Sequence, residues 1–136
     1  MVDLTTELGV RAAKRLKDEY IVWLTTVSPG GTPEPNPVWF YWDGTGLIIY
    51  SQPSAHKLRN IARNPKVSVN FHSDADGGDV IILTGTASID KHPSQHDPRY
   101  LQKYHEEVPK IGLTPESFAA SYSVLIRLVP DKLRGF

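Results

Sequence analysis

Residues 35–71 read PNPVWFYWDGTGLIIYSQPSAHKLRNIARNPKVSVNF, and the order of local signals within them decides the fold. Extended back by one residue, the opening EPNPVWFYW is aromatic and extended in character, as strands are. Pro35 and Pro37 lack the backbone N–H that a ladder needs, which confines the start of this strand to a sheet edge or an irregular beginning. Asp43-Gly44-Thr45-Gly46 is a turn, and LIIYSQ (47–52) is the next strand. A short helix over 54–63 stops at Asn64-Pro65, because the residue before proline is pushed out of the helical region. VSVNFH (67–72) then alternates Val67, Val69 and Phe71 with Ser68, Asn70 and His72, the pattern of a half-buried strand.

The helix in this stretch carries its charge at an unusual end. It opens with His56, Lys57 and Arg59, and no acid lies between Ser54 and Arg63. A helix N-terminus presents unpaired N–H groups and the positive end of the macrodipole, so acids normally occupy its first turn. Ser51 and Ser54 add hydroxyls, and together these groups form a pocket suited to phosphate. The other reading is a solvated basic face paired with acids elsewhere. Electrostatics does not separate the two, since exposed charges near a helix end change stability by only about 0.3–1 kcal/mol.

Outward from this stretch, Leu4, Leu8, Ala12 and Leu16 recur every fourth residue among Arg11, Lys14, Arg15 and Lys17. That is an amphipathic helix, with Thr5 or Thr6 as its cap. YIVWLTTV (20–27) is a strand that enters a hairpin through SPGGTP. SDADGGD (73–79) leads to the long strand VIILTGTASI (80–89), in which Gly85 marks a bulge or a close backbone approach. Asp97-Pro98 and Thr114-Pro115 are N-cap and first-turn pairs for two further helices, and SVLIRLVPDKLRGF (123–136) returns to strand character. About six strands in tight antiparallel succession with peripheral helices predict a mainly β, antiparallel barrel formed as a single domain over residues 1–136.

Composition excludes several function classes. Fifteen Lys and Arg balance fifteen Asp and Glu, so no global field favours nucleic acid or an anionic membrane. The absence of cysteine rules out disulfides, thiolate metal sites and a cysteine nucleophile. The charged N-terminal stretch lacks the apolar block of a signal peptide, and the longest aliphatic runs are too short to span a bilayer. The expectation is a soluble, cytoplasmic protein. No nucleophile elbow, phosphate-binding P-loop, G-x-G-x-x-G or H-E-x-x-H motif occurs. His92 and His96 have i, i+4 spacing, but Pro93 interrupts them and no third ligand suggests itself, so no metal is expected. Asp74, Asp76 and Asp79 read as turn formers. Trp39, Tyr41 and Trp42 lie one hairpin before the basic helix start, where a planar ligand with a phosphate-bearing tail would meet both; taken by themselves, such aromatics more commonly fill a core or a dimer interface.

The stretch 35–71 resembles the central signature of the split β-barrel flavin- and deazaflavin-binding superfamily that includes pyridoxamine 5′-phosphate oxidase: P-x-W-F, a D-G turn, a strand ending in Tyr-Ser, Lys three residues after a Ser, and an Asn-Pro helix stop. It covers about a quarter of the chain. The resemblance implies a six-stranded antiparallel split barrel of the FMN-binding type, a homodimer with cofactor sites at its interface, and a small-molecule substrate. Within the superfamily the sequence is more similar to the actinobacterial coenzyme F420-dependent oxidoreductases. FMN-binding members carry basic residues on the second strand, and Glu34–Trp42 has none.

Carried over by position, the resemblance places Pro37, Val38, Trp39 and Phe40 along the deazaflavin ring. Tyr50 and Ser51 lie at the next strand end, and Ala55, His56, Lys57 and Arg59 meet the phosphate. Gly78, Asp79, Val80 and Ile81 close the site from the partner subunit, and Arg134 contacts the cofactor or its tail. The implied activity is hydride transfer from reduced F420 to a small unsaturated organic substrate, with no assigned catalytic residue. The alternatives are an FMN-dependent oxidoreductase of the pyridoxamine-phosphate-oxidase type and a non-catalytic F420-binding or carrier protein.

Overall fold

The computed structural model describes all 136 residues. Helix α1 (Glu7–Asp18) is followed by β1 (Val22–Val27), β2 (Pro33–Val38), β3 (Tyr41–Trp42) and β4 (Leu47–Ser51). Then come α2 (His56–Arg63), β5 (Lys66–Asn70), β6 (Ile81–Asp90), α3 (Pro98–Lys103), α4 (Glu107–Lys110), α5 (Pro115–Ser121) and β7 (Val124–Gly135). All seven strands join one sheet in the order β2-β1-β5-β6-β7-β4-β3, and every pairing is antiparallel.

The sheet is curled into a split barrel. β2 and β3 are its two edges, yet only Trp39 and Phe40 separate them in the chain. Val38 and Tyr41 can be at most about 11 Å apart, so the two edges must face each other. They are not hydrogen-bonded to one another, and that gap is the split.

The same crossover explains why there are seven strands where the sequence predicts about six. The run expected as one strand, Glu34–Trp42, is two. Val38 pairs with Val22, the first residue of β1, so beyond Val38 there is no partner strand to follow. The chain crosses the split and resumes against β4, pairing Tyr41 with Ile48 and Trp42 with Leu47. The prolines behave as expected. Pro33, Pro35 and Pro37 occupy alternate positions of edge strand β2 opposite Val27, Thr25 and Trp23, where their missing donors face away from the ladder.

Alternation buries Val22 and Leu24 of β1, Val67 and Val69 of β5, Ile81 and Leu83 of β6, and Val124, Ile126 and Leu128 of β7 inside the barrel. β4 is buried on both faces. Leu47 and Ile49 join the barrel core, while Ile48 and Tyr50 point outward onto Tyr100, Tyr104, Val108 and Phe118 of the helical region 98–121. Each large apolar side chain removed from water contributes roughly 1.5–3 kcal/mol, so this outer cluster fixes the helices beside the split.

The caps fall where the sequence places them. Thr6 accepts from Gly9 N–H, Asp97 accepts from Arg99 N–H, and Thr114 and Ser117 form a capping box. Gly85 marks a register shift between β6 and β7, and a Cβ there would collide with the Val129 carbonyl.

Candidate functional site

A cavity of about 400 Å³ opens where the crossover, the end of β4, the start of α2 and the helical region converge, within the range of roughly 300–1,000 Å³ usual for small-molecule sites. Seven of the residues expected to hold a cofactor line it together: Pro37, Val38, Trp39, Tyr50, Ser51, Ala55 and Lys57. Each is there for a local reason. Pro37, Val38 and Trp39 mark the point where β2 leaves the ladder, Tyr50 and Ser51 end β4, and Ala55 and Lys57 begin the helix that the 52–55 turn redirects.

Lys57 is the only charged residue of the lining. It is half-buried and makes neither an ion pair nor a hydrogen bond to the protein. Burial lowers its pKa below the ordinary lysine value, because an ammonium with no counter-charge loses hydration without compensation. The N-terminus of α2 beside it is likewise unattended: Ala55 is the N-cap, no side chain caps it, and no acid lies in the first turn. A half-buried cation and an uncapped helix start at the rim of one cavity are jointly suited to an anion.

The rest of the lining is aromatic, and much of it comes from a region that the sequence reading did not assign to the site. Tyr100, Phe118 and Tyr122 line the cavity along with Ile21, Gln52 and Ile111. Phe118 stacks on Tyr122 at 4.7 Å and on Trp39 at 5.7 Å, and Trp39 stacks on Tyr104 at 4.5 Å with planes 2° from parallel. The signal available in the sequence was the i, i+4 spacing of Tyr100 with Tyr104 and of Phe118 with Tyr122, which also describes an ordinary core helix. Burial raises the pKa of Tyr50 and, more strongly, of Tyr100, so both present neutral phenols at neutral pH.

The other residues expected to bind cofactor lie apart from this cavity in the chain. Phe40 is buried in the barrel core. His56 and Arg59 belong to α2 but are exposed and do not line the cavity. Gly78, Asp79, Val80 and Ile81 sit at the entry to β6. There, Asp79 pairs with Arg11 at 2.6 Å and Arg15 at 3.4 Å, Val80 exchanges backbone bonds with Phe136, and Ile81 enters the core. Arg134 is exposed on β7 opposite Ile82.

No three His, Asp or Glu side chains converge as metal ligands. His96 stacks on Tyr50 at 4.0 Å and donates from Nε2 to the Tyr122 carbonyl at 2.7 Å, so it touches two residues of the lining without belonging to it. A wider depression of about 730 Å³ lies beyond it, bordered by the polar loop Lys91–His96; its lining brings together no comparable set of aromatic walls and cation.

No curated protein matches the sequence. Among solved structures, an F420 reductase superposes with a TM-score of 0.70 at 26% identity, covering 89% of this chain and 94% of its own. A Listeria innocua protein provisionally assigned as a pyridoxamine 5′-phosphate oxidase superposes at 0.69 and 26%, covering 94% of this chain and 97% of its own. The heme storage protein HutZ from Vibrio cholerae, at 0.63 and 18%, covering 96% and 95%, shares the fold. The family model described as pyridoxamine 5′-phosphate oxidase matches residues 10–136, which span the barrel, the crossover and the whole cavity. This chain belongs to the pyridoxamine 5′-phosphate oxidase family.

Proposed function

We propose that this protein is a coenzyme F420-dependent reductase that acts in the cytoplasm as a homodimer and passes a hydride to a small unsaturated organic substrate. The observation that carries this reading is Lys57: a half-buried ammonium without a protein partner, alone among charged groups in an aromatic cavity. The F420 tail begins with a phosphodiester, which carries one negative charge. The phosphomonoester of FMN carries about two at neutral pH. One cation and one helix N-terminus match the diester, and the second strand adds no Arg or Lys. The similarity to an F420 reductase at 26% identity supports the same choice.

In this arrangement Lys57 and the first-turn amides of α2 would hold the phosphate, while Trp39 and the Pro37–Val38 backbone flank the ring. The deazaflavin supplies the hydride when bound. Tyr50, Tyr100, Phe118 and Tyr122 exclude water and press a flat substrate toward the ring, so that binding supplies orientation. Tyr50 and Tyr100 keep their protons at neutral pH because burial disfavours the phenolate.

Parallel titration of F420 and FMN into the parent and Lys57→Ala proteins tests the proposal. F420 should bind the parent more tightly than FMN and weaken by at least about tenfold in the variant, the scale of a lost charge-assisted contact. Tight FMN binding with no F420 binding would make this an FMN enzyme instead.

A further inference from the structure

Tyr104 is fully buried behind the cavity rather than in its lining. Its hydroxyl sits at the crossover between the two sheet edges, where the backbone of Trp39 and Phe40 belongs to no ladder. Phe40 N–H donates to the Tyr104 oxygen at 2.9 Å. The hydroxyl has one hydrogen and two carbonyls within reach, Tyr20 at 2.7 Å and Phe40 at 2.9 Å. Lys103 Nζ already donates to the Phe40 carbonyl at 2.8 Å. The assignment that satisfies every group therefore gives the Tyr104 hydrogen to Tyr20.

One phenol thus ties Tyr20, just before β1, to Phe40 in the two-residue crossover between β2 and β3, and its ring lies flat against the Trp39 indole, with centroids 4.5 Å apart. Trp39 itself is only half-buried. Without that backing its χ angles would be set by Phe118 alone among the stacked neighbours.

We propose that Tyr104 is a positioning residue. Its hydroxyl pins the crossover and its ring backs Trp39, so that the indole is presented to the cavity as a fixed flat wall for a planar ligand. The ligand-binding part of this inference rests on the deazaflavin reading; the ordering of Trp39 does not.

The test uses the protein labelled with 5-fluorotryptophan, which gives three fluorine resonances for Trp23, Trp39 and Trp42, with Trp39 assigned through Trp39→Phe. Tyr104→Phe keeps the ring and removes the hydroxyl. The Trp39 resonance should shift or broaden while those of Trp23 and Trp42 stay in place. The same variant should bind both F420 and its phosphate-free ribityl deazaflavin about tenfold more weakly, the scale of buried hydrogen bonds lost, whereas Lys57→Ala should weaken F420 alone. An unmoved Trp39 line, or movement of all three lines together, overturns the positioning role. If the parent protein binds neither deazaflavin, the proposed function fails, and the fluorine resonances still decide the role of Tyr104.

Discussion

Asn60 and Glu34 meet across 26 residues of sequence: the buried carboxamide Nδ2 donates to Glu34 Oε1 at 2.7 Å and also to Thr26 Oγ1 at 2.9 Å. This pair of bonds fastens α2 to the β1–β2 hairpin one helical turn from Lys57. Asn60→Ala should lower the unfolding free energy by about 1–3 kcal/mol, because the Thr26 hydroxyl loses its partner in a buried site. Chemical denaturation checks the stability. An unchanged affinity for an anionic ligand in the folded variant would show that α2 does not need this clamp to hold Lys57 in place.

Anion binding at Lys57 should weaken at alkaline pH earlier than an ordinary lysine allows. Its pKa in the free protein is below 10.5 because burial disfavours the ammonium. As pH rises through that lowered value the cation is lost and affinity falls. A bound anion restores the charge, so binding near that pH takes up a proton. Calorimetric titration of F420 in buffers of different ionisation enthalpy measures this uptake, which should be absent in Lys57→Ala.

Lys103 gives a pH dependence of stability with a determined sign. Burial among Phe40, Tyr20 and Tyr104 lowers its pKa to about 8, against about 10.4 in the unfolded chain. Between those values the unfolded state binds more protons than the native one, so this group makes stability rise with pH. Parent and Lys103→Met should diverge from pH 7 to 9.5, the parent gaining at most about 2 kcal/mol relative to the variant, and less to the extent that solvent screens the partly exposed ammonium. Parallel denaturation curves at both ends of that window would contradict it. The comparison is made against the variant because the buried tyrosines act in the opposite direction above pH 10.

The acid side is governed by Asp43. Burial opposes its ionisation, but bonds from the Arg127 guanidinium and from the Gly46 and Thr45 amides outweigh that and hold its pKa at about 2. A carboxylate depressed in this way stabilises the fold above its unfolded value of about 3.9, and the contribution disappears as pH falls toward 2. Asp43→Asn should cost about 2 kcal/mol at pH 7 and little at pH 2. Urea midpoints at the two pH values test it.

Local signals in the sequence were legible wherever covalent structure acts locally. Pro35 and Pro37 placed β2 at an edge because a missing N–H has the same effect in any context. Asp97-Pro98 and Thr114-Pro115 marked helix starts because cap and first residue are adjacent in the chain. The misread element was Glu34–Trp42, where nothing local reports that β1 begins only at Val22 and leaves Trp39 and Phe40 without a partner. The charge reversal at the start of α2 was visible, but whether Lys57 faced an acid or an empty cavity depended on what the fold packed against it.

The sequence by itself determined the caps, every strand outside the broken run Glu34–Trp42, the basic first turn of α2, and the motif that identifies the family, since each resides in neighbouring residues or fixed spacings. Only the tertiary structure decided that Lys57 stands alone beside Trp39 and Tyr50, that Tyr100, Phe118 and Tyr122 complete the cavity, and that Tyr104 closes the split from 64 residues beyond Phe40. Those relationships exist because a curled sheet must bring its two edges together. The backbone groups it leaves without a ladder are satisfied by side chains from whatever segment the core packs beside them.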